Sequence, residues 1–160
     1  MPGSRFKRLA FRGLQRLQHV GNRLWRPLTM GVRALVIDAD NRVFLVRHSY
    51  VPGWHLPGGG VEPGETLLRS LERELAEEGN IVSRGDPELL GIYFNNHASD
   101  RDHVAIYVVR DFTQTAPRGA DLEILETGFF PVASLPEGAT RATRERIAEA
   151  LHGAPKSAIW

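Results

Sequence analysis

Apolar positions along this chain change period, and each change marks an element. Over residues 5–26, Phe6, Leu9, Ala10, Gly13, Leu17, Val20 and Leu24 recur at helical spacing, while Arg5, Arg8, Arg12 and Arg16 form a separate stripe. This pattern predicts an amphipathic helix, closed by Pro27. Two runs rich in valine and leucine follow, GVRALVID and RVFLVRH, joined by ADN. They read as a β-hairpin with a polar turn. The stretch VPGWHLPGGGVEPGE is dense in glycine and proline and reads as a constrained loop around a short strand. From Thr66 to Glu78 the period becomes helical again, with Leu67, Leu68, Leu71 and Leu75 on one face and Gly79-Asn80 suited to a left-handed cap. ELLGIYFNN, HVAIYVVRDF and GFFPV read as further strands, and Tyr93 or Phe94 must face inward. A last helix runs from an N-cap at Thr140 to Leu151, with Gly153 beyond its end. The order implies one sheet with helices packed against it.

Charge divides the chain further. Of 160 residues, 42% are hydrophobic and 24% charged, which suits one compact domain. The net charge is +1, yet residues 1–33 hold eight basic residues and no acid. The remainder holds 12 basic and 19 acidic residues, a net of −7. We therefore divide the chain into a basic arm, 1–27, and a domain, 28–160. The arm has three readings: a helix packed on the domain or on a second subunit of a homodimer, a membrane-surface helix over 1–26, or a targeting segment. It does not read as a nucleic-acid contact. The chain contains no cysteine, which excludes disulfides, thiolate metal sites and cysteine nucleophiles. No apolar run approaches the ~20 residues that span a bilayer. A cytoplasmic location is the expectation.

RELAEEGN holds the most unusual chemistry. Glu74, Glu77 and Glu78 stand at i, i+3 and i+4 near the end of the predicted helix. Like charges at that spacing, beside the negative end of the helix dipole, each cost a few tenths of a kcal/mol, roughly. A divalent cation reverses that penalty, and three hard oxygen donors suit Mg²⁺ or Mn²⁺. An acidic domain also needs such a cation, or local arginines, to accept polyphosphate.

The segment GGVEPGETLLRSLERELAEEGNI resembles the Nudix box, G-x5-E-x7-R-E-U-x-E-E-x-G-U, with U aliphatic. Gly59, Glu65, Arg73, Glu74, Leu75, Glu77, Glu78 and Ile81 occupy its fixed positions. Asn80 replaces the last glycine, and asparagine is the next most tolerant residue of positive φ. WHLPGGG before the box and FFPVASLP after it also resemble Nudix hydrolases.

The resemblance implies an α/β/α sandwich around a mixed sheet, and hydrolysis of a phosphoanhydride in a nucleoside diphosphate linked to another group. It implies Mg²⁺, or Mn²⁺, on Glu74, Glu77, Glu78 and the Gly58 carbonyl. Arg73 and Glu65 would form an ion pair that fixes the loop against the helix. The general base would be Glu123, with Glu126 as second choice, or else Glu77 or Glu78 within the box. The substrate would be a nucleotide-type small molecule. Trp54 and His55 are candidates to contact it, with Arg47 and Arg101 as phosphate ligands and His97 and His103 flanking the cleft. For Trp54 core packing is the competing role, and for Glu123 an ordinary surface position. The alternative function is a catalytically weak Nudix-fold module that senses nucleotide. Retention of every box carboxylate favours the enzyme.

Overall fold

Over residues 28–160, which the computed structural model describes, the order is β1 (Thr29–Val36), β2 (Arg42–His48), α1 (Leu67–Gly79), β3 (Ile81–Ser83), β4 (Glu88–Phe94), β5 (Asp102–Val109), β6 (Phe112–Gln114), β7 (Ile124–Pro131), a 3-10 turn (Val132–Ser134) and α2 (Arg141–Leu151). The arm and its expected helix over 5–26 lie outside the described residues. Among the described residues no helix is long and apolar enough to cross a membrane.

The central strands are buried on both faces, which explains their nearly continuous apolar runs. Val32, Ala34 and Val36 of β1, Phe44 and Val46 of β2, and Ala105, Tyr107 and Val109 of β5 pack with Leu71 and Leu75 of α1. The alternate residues Leu35, Ile37, Val43, Leu45, Val104 and Ile106 pack with Ile147 of α2. The period of two thus feeds two cores, one under each helix, and the result is an α/β/α sandwich. Of the two adjacent aromatics in β4, Tyr93 is the buried one.

The expected hairpin is corrected. The turn forms, with Asn41 at φ 57° and the Asp38 carboxylate accepting from the Asp40 and Arg42 amides. Beyond it only Ile37 and Val43 bridge. β1 instead pairs in parallel with β5, which also pairs antiparallel with β4, while β2 pairs antiparallel with β7. The glycine loop is the cause, because it wedges between the two strands. His55 exchanges both backbone bonds with Val46 of β2 at 2.9 Å. Pro57 and Gly59 then accept from Ala34 and Val32 of β1 at 2.8 and 2.9 Å.

Both α1 ends follow local chemistry. Thr66 Oγ1 accepts from the Arg69 amide at 3.2 Å, and Asn80 closes the helix at φ 52°, with its N–H donating to the Ala76 carbonyl. Asparagine therefore makes the left-handed turn that its place in the motif requires.

Candidate active site

The loop and α1 meet edge to edge. The Gly58 amide donates to Glu78 Oε2 at 2.7 Å, and Ser70 Oγ donates to the Gly60 carbonyl at 3.2 Å. Successive carbonyls of an extended chain point to opposite sides. Those of Pro57 and Gly59 are spent on β1, and no described hydrogen bond uses that of Gly58. Two positions here require glycine. A Cβ on Gly59 would lie 2.7 Å from Glu74 Cδ, and Gly58 has φ +137° with Arg33 Cα only 2.8 Å from a Cβ. Gly58→Ala should therefore lose about 1–3 kcal/mol of stability, lowering the thermal midpoint by several degrees. Gly60→Ala, whose Cβ would meet nothing within 4 Å, should leave the midpoint unchanged in the same circular dichroism melt.

Arg73 ties the motif together. Its Nε and Nη2 grip Glu65 at 3.1 and 3.0 Å, Nη2 reaches the Gly60 carbonyl at 3.1 Å, and Nη1 donates to Glu74 Oε1 at 2.6 Å. The planar guanidinium reaches these groups at once, a geometry no ammonium provides. Its hydrogen bonds hold the Glu65 carboxyl down at about 2.

Glu74 and Glu78 are buried, and burial pushes both carboxyls up, Glu78 to about 7. His48 lies beside Glu78, with Nε2 3.4 Å from Oε1. Burial, helped by Arg33, lowers the His48 pKa to about 4, so it is neutral at pH 7 and brings no compensating charge. Glu74, Glu78 and Glu123 line a cleft of about 870 Å³ with Arg33, Tyr50 and the Gly58–Gly60 loop. The same three carboxylates also line a smaller concavity, about 500 Å³, with Glu77 and Arg118.

Glu77 shares that concavity but differs from the other two in exposure. Its side chain is 62% exposed, with Oε2 3.6 Å from Arg73 Nη1. Among the described residues no three acidic or imidazole groups stand together as a finished metal cage. The donor set nonetheless suits a hard divalent ion. Two carboxylates are buried in one cleft, and the amide, the neutral imidazole and the charge of Arg33 near Glu78 do not offset its burial, which still raises the carboxyl. A buried anion so weakly compensated is costly unless a cation joins it.

The remaining candidates separate. Trp54 is 7% exposed and packs edge-on against Phe130 at 4.7 Å within the α2-side core, so no ring face is left for a base. Arg47 pairs with Glu126 at 2.7 Å on the outer face, which takes both out of the cleft lining. Arg101 is exposed beside Asp100, and the His103 ring packs on Phe94. His55 and His97 line a different cleft. Sequence reasoning missed Arg33, Tyr50 and His48. Arg33 carries a signal in the sequence, being the one basic residue inside the apolar run GVRALVID. For Tyr50, an exposed aromatic just after β2, only the fold supplies a role.

A family model described as the NUDIX domain matches residues 27–151. An RNA pyrophosphohydrolase from Legionella pneumophila is 39% identical over 62 residues, covering 39% of this chain and 35% of that protein. An ADP-ribose pyrophosphatase from Methanocaldococcus jannaschii is 31% identical over 106 residues, covering 64% of this chain and 62% of that protein. The chain thus spans less than two thirds of either relative. Among solved structures, a MutT NUDIX hydrolase from Burkholderia pseudomallei superposes with a TM-score of 0.64 at 26% identity, covering 74% of this chain and 95% of that one. A motif that positions buried carboxylates against a glycine loop, an α/β/α sandwich and a match over most of the chain agree, and the chain belongs to the Nudix family.

Proposed function

We propose that this protein hydrolyses the phosphoanhydride bond of a nucleoside diphosphate linked to another group, with Mg²⁺ or Mn²⁺ as cofactor. The observation that carries this reading is the buried Glu74–Glu78 pair, held against the glycine loop and open to a cleft that Glu123 also lines. Glu74, Glu78, the Gly58 carbonyl and Glu77, once turned inward, would hold the metal. When bound, the ion polarises phosphoryl oxygens and lowers the pKa of water. Arg73 fixes Glu74 and the loop. Arg33, whose Nη1 is spent on the Leu56 carbonyl at 3.0 Å, keeps its other nitrogens for a substrate phosphate. Glu123 is the general base. As water attacks phosphorus its proton passes to the Glu123 carboxylate, the anhydride P–O bond breaks, and the departing phosphate keeps the electron pair.

A hydrolysis screen with Mg²⁺ across nucleoside triphosphates, nucleotide sugars, ADP-ribose and dinucleoside polyphosphates tests the reaction. Glu123→Gln should lower kcat at least ~100-fold on the best substrate while KM changes little. Unchanged turnover would move the base elsewhere.

A further inference from the structure

The last carbonyls of a helix find no partner within it, and in α1 they are engaged by the segment that joins β6 to β7. Gln114 Nε2 donates to the Gly79 carbonyl at 2.8 Å, the Thr115 amide donates to the Asn80 carbonyl at 3.0 Å, and Arg118 Nε donates to the Glu77 carbonyl at 2.8 Å. A cation at that end also suits the helix dipole. Asn80 adds a contact that a glycine in its place could not make: its side-chain amide donates to the Ala116 carbonyl at 3.3 Å.

The same segment carries Glu123, and Arg118 links it to the helix. Nη1 of Arg118 donates to the Gly119 carbonyl at 2.7 Å, and Nη2 donates to Asp121 Oδ2. Asp121 Oδ1 in turn accepts from the Glu123 and Ile124 amides at 2.8 and 2.7 Å. A path of charge-assisted hydrogen bonds thus runs from the Glu77 carbonyl, next to Glu78, through Arg118 and Asp121 to the Glu123 backbone. On the other side the Ser49 amide donates to the Glu123 carbonyl at 2.9 Å. Leu122 is 97% exposed and apolar packing begins only at Ile124, so hydrogen bonds fix the turn ahead of Glu123. Among the described residues no hydrogen bond or ion pair engages the Glu123 carboxylate, which is held by its backbone alone.

Arg118 lines the smaller concavity with Glu74, Glu77, Glu78 and Glu123, a place that invites a phosphate-binding role. Each of its three nitrogens already donates within the protein, which favours a different one. Resting on the reading of Glu123 as the base, we propose that Arg118, acting through Asp121, is a positioning residue that sets the Glu123 carboxylate against the Glu74–Glu78 pair.

The test is a double-mutant cycle on the best substrate of the screen. Arg118→Ala should lower kcat about thirtyfold and change KM less than about twofold, because a misplacement near 1 Å costs on the order of a hundredfold. Arg118→Lys should not restore the rate, since one ammonium cannot replace a planar fork on three acceptors. Asp121→Asn keeps an acceptor for the Glu123 amide but sets an amide nitrogen against Arg118. It should show the same loss and can carry the cycle if Arg118→Ala folds poorly. The double variant Arg118→Ala/Glu123→Gln should be no slower than Glu123→Gln alone, whereas independent defects would multiply. Multiplying losses, a defect confined to KM, or full turnover in both Arg118→Ala and Asp121→Asn overturns the positioning role and leaves the base reading standing. Full turnover in Glu123→Gln, or a parent that cleaves none of the panel, overturns both.

Discussion

Glu78→Gln should lower kcat on the order of a thousandfold and leave the fold intact. The rate loss follows from the several kcal/mol that a bound divalent ion supplies to the transition state, at about 1.4 kcal/mol per factor of ten. The stability follows from the site itself. Glu78 is 7% exposed, and burial already disfavours its ionised form, raising the carboxyl to about 7. The sign is clear: a carboxyl whose pKa is raised on folding contributes stability at low pH and loses it as pH rises through the folded value. A neutral glutamine of the same shape avoids that loss and can still accept from the Gly58 amide. In EDTA at pH 8 the variant should therefore melt at or above the parent's midpoint. Mg²⁺ separates the two further. Saturating metal should raise the parent's midpoint, since a ligand at a hundred times its Kd contributes about 2.7 kcal/mol, and should leave the variant's nearly unchanged. Full activity in Glu78→Gln, or an equal Mg²⁺ shift in both proteins, would remove Glu78 from the metal set.

Arg146→Ala should be the most damaging single change to stability, and it lies away from the catalytic cleft. Arg146 is 0% exposed. Its Nη2 donates to Glu149 at 2.7 Å, Nη1 donates to the Ile159 carbonyl at 3.0 Å, and the guanidinium lies 4.2 Å from the Tyr93 ring centre. Glu149 also accepts from Tyr93 Oη at 2.7 Å and from the Ser157 amide at 2.9 Å. Removing the cation strands a buried carboxylate, which costs about 3–5 kcal/mol. The thermal midpoint should fall by roughly 10 °C. The double variant Arg146→Met/Glu149→Leu should recover much of the loss, because the expense lies in the unpaired charge and not in the missing pair. A midpoint unmoved in Arg146→Ala would show that solvent already reaches this network.

The sequence carried local rules well. Thr140 caps the last helix as its position predicts, Asn80 makes the left-handed turn expected of it, and Thr66, read as the first helical residue, is the N-cap just ahead of the helix. Each depends on a few neighbouring residues, and local chemistry is legible in a string of letters. Helix geometry likewise puts Glu74 beside Arg73, whereas the Arg73–Glu65 pair, eight residues apart with Glu65 ahead of the helix, follows from the resemblance of the motif and is closed by the fold of the loop. For Trp54 the sequence leaves two roles, and its burial beside Phe130 selects packing.

Long-range choices needed the fold. The run GVRALVID has two edges to satisfy, and nothing within it says that one goes to the glycine loop and the other to β5, some 70 residues on. Competition for backbone hydrogen bonds decided this and split the expected hairpin. The same rearrangement turned Arg33 toward the carboxylates and left Arg47 and Glu126 paired across β2 and β7 on the outside. By itself, then, the sequence determined the helix ends, the acidic motif and the strand segments, since each is set by neighbours along the chain. Which charges face the cleft, and how Glu74, Glu78 and Glu123 come to share it, were decided by tertiary packing alone, because those contacts join residues that only the folded sheet brings together.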